Sequence, residues 1–179
     1  MKLTEGEKLI LLMLCEIHEH LKISDKTDAK LIREALRTGN LWGLDRDYRP
    51  VPEVDPKVAH ETLEILAMWE RLEESFARLS PSDKKWFEEH ASGFQNGVEF
   101  PGFSGNFDSE QLMAARFYID VLENFEHFKD RQLSRYPVST MPAYRRMVPS
   151  YKRILATVTN KDFTASQVAE VVTGWVSSG

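Results

Sequence analysis

The chain has 179 residues, of which 42% are hydrophobic and 28% are charged, as expected for a globular protein with one sizeable core. Its longest apolar run, residues 9–15, is too short to span a bilayer, and no secretory cleavage site follows it. A single cysteine excludes an intrachain disulfide framework, so we expect a reducing, cytoplasmic location and no membrane partner.

The first two helices have clear boundary signals. Thr4 and Glu7 are spaced as a capping box and precede apolar residues at helical spacing. These apolar residues are Leu9, Ile10, Met13, Leu14, Ile17 and Leu21. The second helix is predicted to begin at Thr27 or Asp28 and to end at Gly39, because glycine favours the left-handed conformation that terminates helices.

The middle of the chain predicts a loop followed by two helices. Residues 40–55 contain Gly43, Pro50 and Pro52 and read as a long ordered loop. Asp55 before Pro56 predicts the start of a long third helix with one apolar stripe, from Val58 to Leu79. Ser80, Pro81 and Asp83 predict the start of a shorter fourth helix.

A second long ordered loop is predicted at about residues 92–107. Residues 94–107 contain three glycines and a proline, which exclude an ordinary helix. They also contain four phenylalanines, which are too apolar for a solvated connector. The loop is therefore expected to pack against the core of its own chain, a second copy or a ligand, and the residues leave these alternatives open.

Three further helices follow this loop. Asn106 or Asp108 is the predicted cap of the fifth, whose apolar stripe runs from Ala114 to Phe128. Ser139 or Thr140 precedes the sixth, which is predicted to kink or break near Val148 because Pro149 follows. Thr164 and Gln167 form a capping box for the last helix. The pattern predicts an all-α, single-domain bundle of about six or seven helices over residues 1–179.

The net charge of −5 conceals an asymmetry. Residues 1–128 have a net charge of −10, whereas residues 129–153 have seven basic groups, one acid and a net charge of +6. This basic segment is a candidate nucleic-acid or phosphate contact through Arg131, Arg135, Arg145, Arg146, Lys152 and Arg153. The alternative is that the segment docks on acidic residues of its own chain or a partner, and the negative whole-chain charge favours this alternative.

The residues contain no recognisable catalytic constellation, cofactor motif or metal site. Neither a phosphate-binding loop nor a dinucleotide fingerprint is present, and Ser104 is not in a nucleophile elbow. The His60–Glu64 pair is a single i,i+4 pair, which is too few ligands for a helical metal site. Cys15 lies within an apolar run and is expected to have a packing role. We therefore predict no catalytic residue, no metal and no cofactor.

Several ordered segments resemble the YfbU family of bacterial proteins. They are Thr4–Leu11, Gly39–Tyr48, Phe100–Phe103 with Asn106, Glu110, Arg116 and Phe117, and Met141–Met147. The resemblance covers residues 3–175. It implies a helical, cytoplasmic protein, and it implies no particular reaction, cofactor or catalytic residue.

The favoured functional hypothesis is a self-associating protein-interaction module, with a homodimer the expected assembly, because surplus apolar surface commonly marks an interface. The candidate interface residues are Trp42, Phe94, Phe100, Phe103, Phe107 and Trp175. One alternative is nucleic-acid or phosphate-ligand binding through residues 129–153. Another is a small-metabolite enzyme with a pocket at residues 94–107, in which Asn106, Asp108 and Arg116 would be the polar groups.

Overall fold

The computed structural model describes residues 3–23, 28–41, 44, 53–158 and 162–176. In these ranges the chain forms seven α-helices and two short strands, which confirms the predicted all-α class. The chain divides into two compact units, Met1–Glu53 and Val54–Gly179. One domain over residues 1–179 stays a prediction, and most of the predicted loop at 40–55 lies outside the described residues. No described helix is both long and apolar enough to cross a membrane.

Two helices form the described part of the N-terminal unit. Helix α1 spans Glu5–His20 and helix α2 spans Ala29–Thr38, and the two pack against each other. The predicted capping box at α1 is confirmed: the Glu7 N–H donates to Thr4 Oγ1 at 3.3 Å, and the Thr4 N–H donates to the Glu7 carboxylate at 2.7 Å. The predicted end of α2 is also confirmed, because Gly39 has φ 75°.

The C-terminal unit is organised around helix α3, Pro56–Arg78. Its Asp55 cap and its proline at the first position confirm the predicted start. One face of α3 is fully buried through Ile65, Leu66, Met68, Trp69 and Leu72. Helix α4, Pro81–His90, follows after the predicted Ser80 cap, whose Oγ accepts from the Asp83 N–H at 3.2 Å.

The glycine and phenylalanine loop contains strand β1, Phe103–Ser104, which pairs in parallel with strand β2, Ser134–Tyr136. Gly102 has φ 83°, and a Cβ at this position would lie 2.3 Å from the Leu133 carbonyl oxygen. The Phe103 N–H donates to that same carbonyl at 2.7 Å. The two strands can approach this closely only because residue 102 has no side chain.

Helix α5 spans Ser109–Arg116 and continues as one π-helical turn, Phe117–Val121. The sequence predicted one helix whose stripe reaches Phe128, and this is wrong. The helical backbone ends near residue 122, and Glu123 and Phe125 have φ of 53° and 57°. A right-handed helix cannot continue through positive φ. Phe128, the last residue of the stripe, reaches the core from a short 3₁₀ helix, Glu126–Phe128.

Helix α6, Met141–Leu155, continues through Pro149, so the predicted kink or break near Val148 is not a break, and a kink there stays a prediction. Proline costs a helix a hydrogen bond and introduces a clash, worth about 3 kcal/mol. Met147 and Tyr151, which flank Pro149, are both buried in the core, and this packing holds the helix together on both sides. The apolar contacts around a proline can therefore outweigh its local penalty.

Helix α7, Ala165–Val176, packs against α6 and α4. The predicted capping box at its start is confirmed: the Thr164 N–H donates to Gln167 Oε1 at 2.9 Å, and the Gln167 N–H donates to Thr164 Oγ1 at 3.3 Å. Fully buried valines at Val168 and Val171 show that tertiary packing can support a helix rich in β-branched residues.

Candidate functional site: the exposed face of helix α1

Helix α1 presents six large apolar side chains to solvent. They are Leu9, Ile10, Met13, Leu14, Ile17 and Leu21, and each is 51–62% exposed. Their spacing of one, three or four residues places them on one broad stripe along the helix. We call this stripe the α1 apolar face. A contiguous surface of this kind differs from the scattered apolar residues that any protein surface contains, and such surfaces mark interaction sites.

The opposite side of α1 faces α2. Cys15 is the only α1 residue that is buried, Leu11 and Leu12 are partly buried, and α2 buries Ala29, Ala35 and Leu36. An ion pair between Arg33 and Glu19, at 2.7 Å, joins the two helices. The unit therefore buries some of its apolar side chains and leaves the α1 apolar face in water.

Cys15 has the chemistry of a packing residue. Burial raises the pKa of the Cys15 thiol, the charge of Glu19 raises it further, and Arg33 opposes this change only in part. The thiol is consequently protonated at neutral pH, whereas a nucleophilic cysteine needs a lowered pKa.

Charged side chains of both signs lie at each end of α1. Lys8 pairs with Glu5 at 2.6 Å near the first turn. Glu16 and Glu19 precede the exposed Lys22 near the last turn. The α1 apolar face therefore has mixed charge at both of its ends.

The phenylalanines predicted as interface residues are mostly core residues. Phe94, Phe100 and Phe103 are buried, and all three belong to the main apolar cluster of the C-terminal unit. The ring centroid of Phe100 lies 5.8 Å from that of Trp69 and 5.6 Å from that of Phe103. These three rings pack within their own unit, and the assignment of Phe94, Phe100 and Phe103 to an interface stays a prediction.

The remaining candidate interface residues have different placements. Phe107 is 68% exposed and lies outside the core. Trp175 is half-buried, and its ring centroid lies 5.5 Å from that of Tyr144 and 6.3 Å from that of Trp69. Trp42 lies outside the described residues.

Glu73 is a buried carboxylate on α3 that contacts Phe100, His127 and Arg131. It is 7% exposed, and it accepts from the Phe100 N–H at 2.6 Å. The two terminal guanidinium nitrogens of Arg131, Nη1 and Nη2, donate to its carboxylate at 2.9 Å each. His127 Nε2 lies 2.5 Å from Glu73 Oε2. A buried charge with a bidentate arginine and a backbone donor is well satisfied, so this cluster can hold the loop on the helix.

Asp108 is a second buried carboxylate, and it holds the loop against the start of α6. Its oxygens accept from the Ser104 N–H at 3.0 Å, the Thr140 N–H at 2.8 Å and the Ser139 hydroxyl at 2.5 Å. Burial raises the pKa of Asp108, but these hydrogen bonds outweigh it, so the pKa is lowered overall. The Thr140 hydroxyl also bonds to both Asp108 and the Gly102 carbonyl.

The candidate anion-binding residues of the basic segment are engaged with the chain's own groups. Four ion pairs have N···O distances of 2.6–2.9 Å, and a fifth joins Arg153 to Glu170. The four are Arg131–Glu73, Arg135–Glu99, Arg145–Glu61 and Lys152–Glu64. Arg146 donates to the Gly174 carbonyl at 2.9 Å. The placement is the one expected if the basic segment docks on acidic residues of its own chain.

Sequence reasoning missed the orientation of α1, although a signal was present. Residues 9–15 are apolar without interruption, so α1 is apolar on more than one face. A helix of this kind has more apolar surface than one packing partner can cover.

Among the described residues, no group of three or more His, Cys, Asp or Glu side chains could hold a metal ion.

The fold and these surfaces define a mostly helical protein with one aromatic core and one exposed apolar helix face. The YfbU domain matches residues 1–173, so the chain belongs to the YfbU family, and the predicted resemblance is confirmed. The match spans both compact units. A search of curated proteins gave no match.

Proposed function

We propose that this protein is a self-associating interaction module and that it pairs with a second copy through the α1 apolar face. The observation that supports the proposal is the exposure of six large aliphatic side chains on one helix, each of them more than half exposed. A cytoplasmic location accompanies the proposal as a prediction.

The energetics set a lower limit on the size of the interface. Burying the exposed half of one such side chain contributes roughly 1 kcal/mol. Two copies bring twelve of these side chains together, or about 12 kcal/mol in total, whereas association costs about 4–15 kcal/mol. The gain and the cost are of similar size, so the loss of two side chains per copy, about 4 kcal/mol of the gain, should weaken pairing strongly.

The apolar character of the face suits a second copy as the occupant, because one apolar surface can cover another. A self-complementary patch closes into a two-fold dimer, which is the commonest symmetric assembly.

The experiment is sedimentation equilibrium of the wild type and of the double variant Ile10→Gln, Ile17→Gln. Glutamine is a good helix former, so α1 is expected to keep its helicity. The dimer of the variant loses four apolar side chains, so we expect its dissociation constant to rise about a thousandfold. Circular dichroism checks that the helical content is unchanged.

Val138→Gln is the matched control, because Val138 is 61% exposed and lies outside α1. This variant should associate like the wild type. A wild type that is monomeric over a wide concentration range would contradict the proposal, as would a double variant that associates normally.

Nucleic-acid or phosphate-ligand binding through residues 129–153 remains a weaker hypothesis. A polyanion would have to compete with the ion pairs that engage these cations, such as Arg145 with Glu61 at 2.7 Å. It would also meet a net negative chain. Binding of labelled single-stranded DNA at low salt, with an affinity that falls steeply as salt rises, would support it.

The small-metabolite enzyme hypothesis has less support. Its polar candidate Asp108 is 1% exposed, and its oxygens already accept hydrogen bonds from Ser104, Ser139 and Thr140. These contacts correspond to a structural anchor. Native mass spectrometry of the purified protein would support the enzyme hypothesis if it revealed a reproducible added mass.

A further inference from the structure

We propose that Met13 is an oxidation site and that its conversion to methionine sulfoxide weakens pairing through the α1 apolar face. The second part of this inference rests on the proposed self-association and names a way to regulate it. Two observations carry the inference: the Met13 thioether lies among apolar side chains of α1, and it is more exposed than the other described sulfur-containing side chains.

Met13 is the most exposed of the described methionines. It is 55% exposed, whereas Met68, Met141 and Met147 are each at most 4% exposed and belong to the core of the C-terminal unit. Met113 is half-buried on α5. An oxidant in solution reaches an exposed thioether more readily than an enclosed one, so Met13 is expected to react first.

Cys15, two residues further along α1, does not compete for the oxidant. It is buried, and burial raises the pKa of its thiol. Peroxides react with the thiolate, and a raised pKa keeps the thiol protonated at neutral pH. A thioether carries no such proton, so Met13 can react at neutral pH wherever it is exposed.

The reaction adds one oxygen atom to the side chain. Hydrogen peroxide transfers this oxygen to Met13 Sδ: an S–O bond forms, the O–O bond breaks, the sulfur loses two electrons and the peroxide is reduced to water. The product is a polar sulfoxide in place of a flexible apolar group. Thiol-dependent reductases reverse the change by oxidising two thiols to a disulfide and releasing the oxygen as water, so the site can act as a switch.

A sulfoxide at this position interrupts the α1 apolar face. Met13 lies between Leu9 and Ile17, about one helical turn from each, so a second copy that covers those two side chains must also cover Met13. A covered sulfoxide loses its hydrogen bonds to water and gains only apolar neighbours. The dimer contains two copies of Met13, so its dissociation constant should rise at least about thirtyfold.

The experiment treats the wild type and Met13→Leu with dilute hydrogen peroxide and analyses both by peptide mass mapping and sedimentation equilibrium. Leucine keeps the volume and the apolar character of the side chain and cannot form a sulfoxide, so Met13→Leu is the matched control. In the treated wild type we expect an added oxygen at Met13 and weaker association. Treated Met13→Leu, in which Met113 can still be oxidised, should associate like the untreated protein.

Protein concentration gives a second readout. Because pairing covers Met13, its oxidation rate should fall as the protein concentration rises through the dissociation constant of the dimer. Met113 lies outside α1, and its oxidation rate should stay the same. Incubation of the oxidised wild type with a methionine sulfoxide reductase and dithiothreitol should restore association.

Each other outcome overturns a specific statement. A Met13 that resists oxidation while Met113 reacts refutes the oxidation site. A sulfoxide at Met13 with unchanged association refutes the switch and leaves self-association standing, as does a treated Met13→Leu that weakens as much as the wild type. An untreated wild type that stays monomeric refutes the proposed function and with it the switch, whereas the oxidation site stands or falls on the mass map.

Discussion

The two compact units of this protein use apolar residues in opposite ways. The C-terminal unit buries many of its large aromatic side chains: Trp69, Phe87, Phe103, Phe128 and Tyr144 are all fully enclosed, although Phe107 and Phe117 are exposed. The N-terminal unit buries cysteine, alanine and a few leucines, and it leaves the six large side chains of α1 more than half exposed. Both units contain well-capped helices, so the difference lies in tertiary packing and not in helix formation.

This contrast shows that apolar periodicity identifies a face without identifying what covers it. In α3 the stripe that the sequence predicts is the stripe that the core buries. In α1 the residues at helical spacing are the exposed ones, and Cys15 faces inward. Burial of the six exposed side chains of α1 would add hydrophobic stabilisation, so this apolar surface is available for association.

The largest expected effect comes from the aromatic core. Phe103→Ala should lower the free energy of unfolding by about 3–5 kcal/mol, because it removes a fully buried ring and leaves a cavity. Urea denaturation followed by tryptophan fluorescence measures the change. Phe107→Ala is the matched control, since Phe107 lies in the same loop but is 68% exposed, and it should cost less than about 1 kcal/mol. Equal losses for the two variants would contradict the core assignment.

A smaller loss in the free energy of unfolding is expected when the buried carboxylate of Asp108 is replaced. Asp108→Asn should cost about 1–3 kcal/mol, because an amide NH₂ then faces N–H donors that lose their acceptor. Urea denaturation at neutral pH checks this magnitude. Asp120→Asn, at an exposed position, serves as the control and should be close to neutral.

The contribution of Asp108 to the free energy of unfolding should also depend on pH. The folded pKa is lowered, so the unfolded chain takes up the proton first, and the stabilisation is fully present above the ordinary value of 3.8. It is lost as the pH falls through the lowered folded pKa. The difference in stability between wild type and Asp108→Asn should therefore shrink below pH 3.8. A difference that stays constant down to acid denaturation would argue against the ionised carboxylate as the acceptor.

A still smaller effect is expected where the basic segment meets α3. Arg145→Ala removes an exposed bidentate pair with Glu61 and should cost less than about 1 kcal/mol. The loss should diminish at high salt, because salt screens exposed charges. Thermal unfolding at low and high salt measures both quantities. A loss of several kcal/mol would mean that docking of this segment is a major source of stability.

The smallest effect on unfolding is expected on the α1 apolar face. At concentrations where the protein is monomeric, Ile17→Gln should change the free energy of unfolding by less than about 0.5 kcal/mol. At high concentration the wild type should gain stability from association and the variant should not. Thermal unfolding over a range of protein concentrations tests this. A large loss at low concentration would mean that Ile17 packs within its own chain.

Local signals were sufficient to predict most helix boundaries. The Thr4–Glu7 and Thr164–Gln167 capping boxes, and the glycine at residue 39, act within one turn of chain. Such interactions involve neighbours in sequence, so the sequence alone determines them. The family membership likewise follows from residues read in order along the chain.

Interactions between distant residues could not be read in this way. Glu73 meets Phe100 and Arg131, and Asp108 meets Thr140, because the chain folds back over many residues. Positive φ at Phe125 ended a helix that apolar periodicity had extended. Packing around Pro149 preserved a helix that proline had been expected to kink or break, and the break does not occur.

The amino-acid sequence by itself therefore determined the helical class, the helix starts and the family of this protein. Only the tertiary structure decided that three loop phenylalanines are core, that basic side chains pair with the chain's own acids, and that the large side chains of α1 face solvent. The physical reason is that capping and backbone preferences act between near neighbours, whereas burial depends on which surfaces meet after the whole chain has folded.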